Sequence, residues 1–487
     1  MELAEYAALD AVGLAAALHR RELSAAEVLD AARRALVAVQ PRLNVLADGP
    51  WERPLEYAAD GPFAGVPMLI KDIGCPVGGL PIRLGSRATG AGLVLEDDSW
   101  LWRLFRGAGF AALGVAPVPE LAFHVLTESV RHGVTRNPWD PARSPGGSSG
   151  AGAAAVAAGA VPMAHANDGG GSIRIPAAHT ATVGLKPSRG RITSGPGRGE
   201  SLQGFATNFV LTRTVRDAAA LLDVLAVPQP GDRYLVQRPE RPWSQELGRE
   251  PRRLRIAVRT QGSGGTPVDP EVVTAVRGVA ATLAGLGHEV VEAAPAVDWE
   301  AYAQALVVVW AAGVAEDAAW ITQATGGQFR PELYETAIAA SIRHGRTLDV
   351  LDLAGALDVA NRVSRAVGIF LGTYDLILTP SVNTLPVPVG TVDADDPLFA
   401  ELEPARAVRE WVDRTFALCS FTSLYNVTGT PAISLPLGWS EEGLPIGVQF
   451  ATRMGDEATL FRLAAQLEEL MPWSQRRPRV HVSALSD

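Results

Sequence analysis

Lysine is almost missing from this 487-residue chain: of 43 basic residues, Lys71 and Lys186 alone are lysine and the rest are arginine. Arginine serves as a surface cation as well as lysine does, but its guanidinium keeps its proton, whereas a buried lysine can lose one. A lysine kept in such a background is a candidate for chemistry that needs a neutral amine; survival by chance is the competing reading. Cysteine is as scarce. Cys75 and Cys419 make neither a disulfide framework nor a CxxC pair, and they read as packed thiols. The eight histidines are scattered, with no HExxH pair, so no metal site is expected. Long apolar runs are missing too. The longest, 151–164 and 305–315, fall short of the roughly 18–20 residues that span a bilayer. The first residues, Met1-Glu2-Leu3-Ala4-Glu5, are acidic where a signal peptide is basic. No membrane partner and a cytoplasmic location are the expectations. Positive charge is not in excess: the formal net charge is −10, and no Lys/Arg run stands out, which argues against nucleic acid as a partner.

What is present reads as globular, with 47% hydrophobic and 20% charged residues. The length allows one large or two ordinary domains. The Pro/Arg-rich stretch 228–253 is the best linker candidate, but strands resume after it in the same style. A single domain over 1–487 is therefore expected, with a helical N-terminal segment of about 1–60 and a catalytic region of about 61–200.

Helices are predicted over 8–20 and, from the capping box Ser24-Ala25-Ala26-Glu27, to about Val39. The turn Gly65-Val66-Pro67 leads into a short apolar strand that ends at Lys71. A helix over 98–107, a strand over 111–115, a buried small-residue helix over 151–160 and a strand over 161–166 follow. Further strands are expected at 254–259, 288–292, 374–379, 432–436 and 445–449. Helices are expected at 270–286, between 299 and 372, and at 404–418 and 457–469. This alternation predicts an α/β fold, a large twisted mixed sheet covered by helices on both faces.

Residues 146–172 carry the strongest signal. A phosphate-binding P-loop ends in Gly-Lys-Ser/Thr, which is absent. A dinucleotide fingerprint needs a strand before its glycines. Gly146-x-Ser148-x-Gly150 matches a nucleophile elbow, but that motif must follow a strand, and Pro138, Pro141 and Pro145 make the upstream segment a loop. A different arrangement fits better: two serine-bearing glycine turns, with Ser148 and Ser172 24 residues apart. Amide hydrolysis needs a nucleophile, a proton relay for the leaving amine, and donors for the tetrahedral oxyanion. Gly169-Gly170-Gly171 offers consecutive backbone N–H groups without side chains, directly ahead of Ser172, the build of an anion-binding nest.

The stretch from Gly146-Gly147-Ser148-Ser149-Gly150 through Asp168-Gly169-Gly170-Gly171-Ser172-Ile173-Arg174-Ile175-Pro176 to Gly184-Leu185-Lys186-Pro187 resembles the amidase signature family. Gly65-Val66-Pro67-Met68-Leu69-Ile70-Lys71-Asp72, Arg136-Asn137-Pro138-Trp139 and Asn426-Val427-Thr428-Gly429-Thr430-Pro431 resemble further motifs of that family, over roughly residues 5–475. The resemblance implies an amide hydrolase with Ser172 as nucleophile, Ser148 as bridging serine, Lys71 as base and Ser149 as bystander. It places the oxyanion hole at the amides of Gly169, Gly170, Gly171 and Ser172, with no cofactor. Asp168 and Arg174 are expected to orient the loop by ion pairing, and Lys186 to be structural. Within the family, the signature and C-terminal segments look most like the nylon-oligomer cyclic dimer hydrolase branch. The implied partner is a small-molecule amide or carbamate (urethane), anilide or ester, with the chain a monomer or homodimer. By the same resemblance the segment 306–310, ending at Trp310, lines the acyl pocket; an ordinary core helix is the other reading. The alternatives are the glutaminase subunit of a tRNA-dependent amidotransferase and a non-enzymatic relative. Two departures bear on substrate fit: Gly169 stands where the family commonly has threonine or isoleucine, and the 115–120 loop lacks the usual Lys-Thr-Asn ahead of Glu120.

Overall fold

In a computed structural model, which describes residues 1–485, ten strands share one mixed sheet. In chain order they are β1 Pro67–Lys71, β2 Ala111–Ala116, β3 Met163–Asp168, β4 Val183–Lys186, β5 Thr207–Thr212, β6 Arg255–Val258, β7 Glu289–Glu292, β8 Leu376–Pro380, β9 Ala432–Trp439 and β10 Pro445–Ala451. Their spatial order is β7-β6-β8-β10-β9-β4-β5-β3-β1-β2. The two edges are parallel: β1 pairs parallel with β2 and β3, and β6 with β7 and β8. The centre, from β8 to β3, is antiparallel. The α/β fold expected from alternation is thus present, with helices packed on the sheet.

The topology places the chemistry. β1 and β3 run side by side in register, Met68 opposite Met163 and Leu69 opposite Ala164. Their carboxyl ends therefore deliver Lys71 and the pair Asn167-Asp168 to one edge, where open α/β sheets place their sites. The strand residues 67–71 are all buried, the near-continuous apolar run that a strand covered on both faces requires.

The N-terminal helices are α1 Leu3–Ala8, α2 Ala11–His19 and α3 Ala25–Leu43. The single helix expected over 8–20 breaks because Asp10 caps a new start, accepting from the Gly13 N–H, while Asp217 receives the N–H groups of Ala11 and Val12. The α3 capping box forms as read, and the helix runs past Val39 until Asn44 ends it at φ 55°, a left-handed cap. Next come α4 Trp100–Ala108 and α5 Gly150–Ala157. Every residue of α5 is buried; its Gly and Ala side chains let the backbone lie against β3, since a Cβ on Gly152 would sit 3.0 Å from the Ala164 methyl.

Several elements were not expected: β4, β5, the helix α6 Arg174–Thr180 and α7 Val215–Leu225. Pro176 reads as a breaker but sits in the first turn of α6, where no intrahelical N–H bond is lost. Then follow α8 Pro270–Gly285, α9 Trp299–Ala324, α10 Thr336–Gly345 and α11 Val350–Thr373. Among the described residues, α9 is the one helix long and apolar enough to cross a membrane, although its apolar run 305–315 is short. It packs against α10 and α11, with Leu306 and Val309 buried in a core cluster shared with Ala360, Val363 and Val367 of α11.

Candidate active site

Lys71 ends its strand with the side chain 98% hidden from solvent. Its Nζ lies 2.8 Å from Ser148 Oγ, 2.7 Å from Ser149 Oγ and 2.5 Å from Asn167 Oδ1. Burial pushes the amine well below the ordinary lysine pKa, while the Asp168 carboxylate pulls weakly the other way. A buried ammonium without a carboxylate partner is costly, so the neutral amine is the form that this site favours. His165, the histidine beside it on β3, does not contact the amine. Its Nδ1 accepts from the backbone N–H of Lys71 at 3.3 Å, and burial, then Lys71, hold its pKa down to about 3.

The serines come from the loop entering α5, where the Gly147–Ser148 peptide bond is cis. Thr127 closes this loop, donating to the Gly146 carbonyl at 2.8 Å and accepting from the Gly150 N–H at 3.0 Å. Gly147 is required by close approach, because a Cβ there would lie 2.6 Å from the Leu126 backbone.

The glycine loop leaves β3 at Asp168 and enters α6 at Arg174. Asp168 accepts from Arg174 Nε and Nη2, both at 2.9 Å, and from the Ile173 N–H and Asn426 Nδ2. Burial alone would raise this carboxyl, but the Arg174 guanidinium overrides it and holds the pKa to about 2. Arg174 also donates to the Thr422 carbonyl, Gln449 and Asn426. Thr422 Oγ1 donates to the Gly170 carbonyl at 2.7 Å. Apart from the Ile173 N–H, these anchors hold side chains or carbonyls of the loop. Among the described residues, no group accepts a hydrogen bond from the amides of Gly169, Gly170, Gly171 or Ser172. Gly171 has φ +138°, and a Cβ there would collide with Thr422; only glycine fits.

A pocket opens above these groups, lined by Ser148, Asn167, Gly169, Gly170 and Ser172. Its walls are apolar, from Leu121, Phe123, Ile175, Leu202, Trp310 and Phe416 among others. Charged side chains on it are Arg198, Glu316 and Asp317; Arg198 and Asp317 pair at 2.6 Å.

With this geometry the chain can be set beside known proteins. The family model for amidases matches residues 22–461. The chain belongs to the amidase signature family, hydrolases of carbon–nitrogen amide bonds. It is 34% identical to the 6-aminohexanoate-cyclic-dimer hydrolase of Pseudomonas sp. (strain NK87), covering 97% of this chain and 96% of that one. It is 36% identical to the putative amidase AmiC of Mycobacterium tuberculosis (strain ATCC 25618 / H37Rv), over 98% and 97% of the two chains. A solved structure of 6-aminohexanoate cyclic dimer hydrolase superposes with a TM-score of 0.88 at 33% identity, covering 97% of this chain and 99% of that one.

In this amidase the residues expected from sequence gather at one place: Lys71 with Ser148, and Ser148 with Ser172 and the glycine loop on one pocket. Ser149, expected to stand aside from the chemistry, also contacts Lys71 Nζ, at 2.7 Å. Of the segment 306–310, Trp310 faces the pocket, stacked edge-on with Phe123 at 5.8 Å, whereas Leu306, Val307 and Val309 are buried in the core. Asn167 was missed. Its one available signal was position, adjacent to Asp168 at the end of a strand parallel to that of Lys71. Lys186 is buried and its Nζ donates to the Pro187 carbonyl at 2.8 Å, away from the serines. The 115–120 loop does lead into the site, for Leu121–Val125 follow it along the pocket wall.

Proposed function

We propose that this amidase cleaves uncharged amides with an apolar acyl part through an acyl-enzyme on Ser172. Ser172 Oγ attacks the carbonyl carbon as its proton passes to Ser148 Oγ and the Ser148 proton passes to Lys71 Nζ. The oxyanion is received by the amides of Gly169, Gly170, Gly171 and Ser172. Proton return along the same path protonates the departing amine, and water then hydrolyses the ester. The observation that carries this reading is the 2.8 Å contact of a buried, deprotonation-prone Lys71 with Ser148.

The substrate follows from the walls. Apolar side chains line most of the pocket, and Arg198 is already paired with Asp317. A glutamine substrate carries a carboxylate that would need a cation here, and the lining cation Arg198 is already held by Asp317, so the glutaminase reading gains nothing from this site. The cyclic dimer hydrolases named above act on an uncharged cyclic amide, the kind of molecule that these walls suit; urethanes and anilides share that chemistry.

The test is a panel of cyclic and linear nylon oligomers, aryl anilides, primary amides and urethanes. Turnover is expected on neutral apolar amides and not on glutamine. Ser172→Ala, Lys71→Ala and Lys71→Arg are each expected to abolish it in folded protein, since a guanidinium keeps its proton. Activity surviving in Lys71→Arg, or no labelling of Ser172 by a sulfonyl fluoride, would overturn the reading.

A further inference from the structure

Three oxygens surround Lys71 Nζ, and they are not equivalent. A neutral amine has two hydrogens and one lone pair, so three partners force one of them to be the donor. Asn167 Oδ1, at 2.5 Å, is an amide oxygen and can only accept. Ser149 Oγ has its own hydrogen turned toward the Asn167 carbonyl at 3.3 Å; toward the amine, at 2.7 Å, it therefore accepts. Both lysine hydrogens are then used. What remains toward Ser148, at 2.8 Å, is the lone pair.

We infer that Asn167, with Ser149, is a positioning residue for the base: each takes one hydrogen of Lys71 and so leaves its lone pair aimed at the Ser148 hydroxyl. The relay has its direction before substrate arrives. Ser148 donates to the amine, and its own oxygen is free to accept a proton from the pocket side. When the amine gains that proton, the same three oxygens receive the three hydrogens of the ammonium, with no rotation needed. This inference rests on the proposal that Lys71 is the base, and it extends that proposal by naming what orients it.

The charged and titratable groups facing the amine are few. Asp168 follows Asn167 on β3 and is neutralised by Arg174. His165 on the same strand is uncharged and meets the backbone of Lys71. Asp72 follows the end of β1, with Oδ1 accepting from the Arg83 N–H and Oδ2 3.7 Å from His132 Nε2. Asn167 is thus the near neighbour whose replacement changes the field at Nζ.

The experiment is the pH dependence of kcat/KM and of sulfonyl fluoride labelling for Asn167→Asp, Asn167→Leu and the unaltered chain. A carboxylate beside Nζ stabilises the ammonium, so Asn167→Asp is expected to move the acid limb up by about one unit or more. Asn167→Leu removes an acceptor from the ammonium and frees the lone pair. Its acid limb is expected to move down, with the plateau kcat reduced at least about tenfold and KM unchanged. A purely structural asparagine would lower activity equally at every pH. Limbs that stay in place, or move in the same direction, overturn the inference; Asn167→Ala replaces Asn167→Leu if thermal melts show that the latter does not fold. The two levels separate cleanly: turnover by Lys71→Ala sinks the base itself, whereas unmoved limbs beside a dead Lys71→Ala sink Asn167 alone.

Discussion

Arg174 grips Asp168 with two parallel bonds, Nε and Nη2 each 2.9 Å from a carboxylate oxygen, and both side chains are fully buried. The pair spans the glycine loop from the end of β3 to the start of α6, so it fixes both ends of the segment carrying the candidate oxyanion amides. Removing one charge leaves the other buried and uncompensated, a loss of roughly 3–5 kcal/mol. Asp168→Asn is therefore expected to lower unfolding stability by about that amount and to slow turnover by loosening the loop. Urea unfolding and single-turnover kinetics measure the two effects; a variant as stable as the parent would show that the pair is not what holds the loop.

Two glycines of that loop, Gly169 and Gly171, predict different outcomes. A Cβ at Gly169 would meet Leu202 Cδ2 at 3.3 Å and Ala206 Cβ at 3.6 Å, and the residue has no positive φ. Gly169→Ala needs a shift of a few tenths of an ångström from the tip of a leucine. It is expected to fold and to keep turnover within a few-fold. Gly171→Ala meets both a left-handed backbone and the Thr422 hydroxyl, and is expected to abolish turnover. Equal kinetics in the two variants would contradict this account of the loop.

The contrast between the two positions also marks how far the sequence was readable. Lys71 was legible because arginine had replaced lysine almost everywhere else, and Ser148 and Ser172 because glycine turns around serine form dense local patterns. The strand–helix alternation was legible from apolar runs, which is why β1, β2, β3 and α8 fall close to their predicted places. Asn167 was not, since a lone asparagine next to a strand end has no local signature; its contact with Lys71 arises because β3 lies parallel to β1. The contact of Ser149 with Lys71 was hidden for a related reason. In one dimension two adjacent serines compete for one role, whereas in the folded loop both reach the same amine. The strands β4 and β5 escaped notice because Gly, Pro, Arg and Ser crowd the stretch between them, and beyond their pairing with each other their partners are β9 and β3, remote in sequence.

Trp310 stands where α9 meets the pocket. Its ring packs on the backbone of Gly170, with Cζ2 2.9 Å from where a Cβ would be, and edge-on to Phe123. It is thus a wall of the pocket and a back support for the glycine loop. Trp310→Ala is expected to weaken binding of compact apolar amides by about tenfold or more, given the apolar area lost, and to favour bulkier acyl groups. Relative kcat/KM for a small and a large amide reads this out; an unchanged ratio would remove Trp310 from the specificity surface.

The last prediction concerns the wall segment 121–125, whose Phe123 meets Trp310. Glu120, just ahead of the pocket residues 121–125, accepts from Ser86 Oγ at 2.5 Å and from the backbone N–H of Glu335 at 2.6 Å. Glu335 in turn accepts from the Val130 N–H at 2.8 Å, and it precedes α10. Both carboxyls are almost fully buried. Burial pushes Glu120 up to about 7; burial, and next the Glu120 charge, push Glu335 up to about 8. Acids whose folded pKa is raised hold more protons folded than unfolded. Their contribution to stability is complete below the ordinary glutamate value of 4.5 and is lost as pH climbs through 7 to 8. The chain is accordingly expected to melt at lower temperature at pH 9 than at pH 6. Glu335→Gln keeps the acceptor for Val130 and removes one of the two charges, so its decline over that interval is expected to be shallower. Because the pair tethers the pocket loop to α10, KM for an apolar amide should rise with pH in the parent more than in the variant. Parallel melting curves for the two proteins from pH 5 to 9 would show that these carboxyls do not titrate on the folded chain.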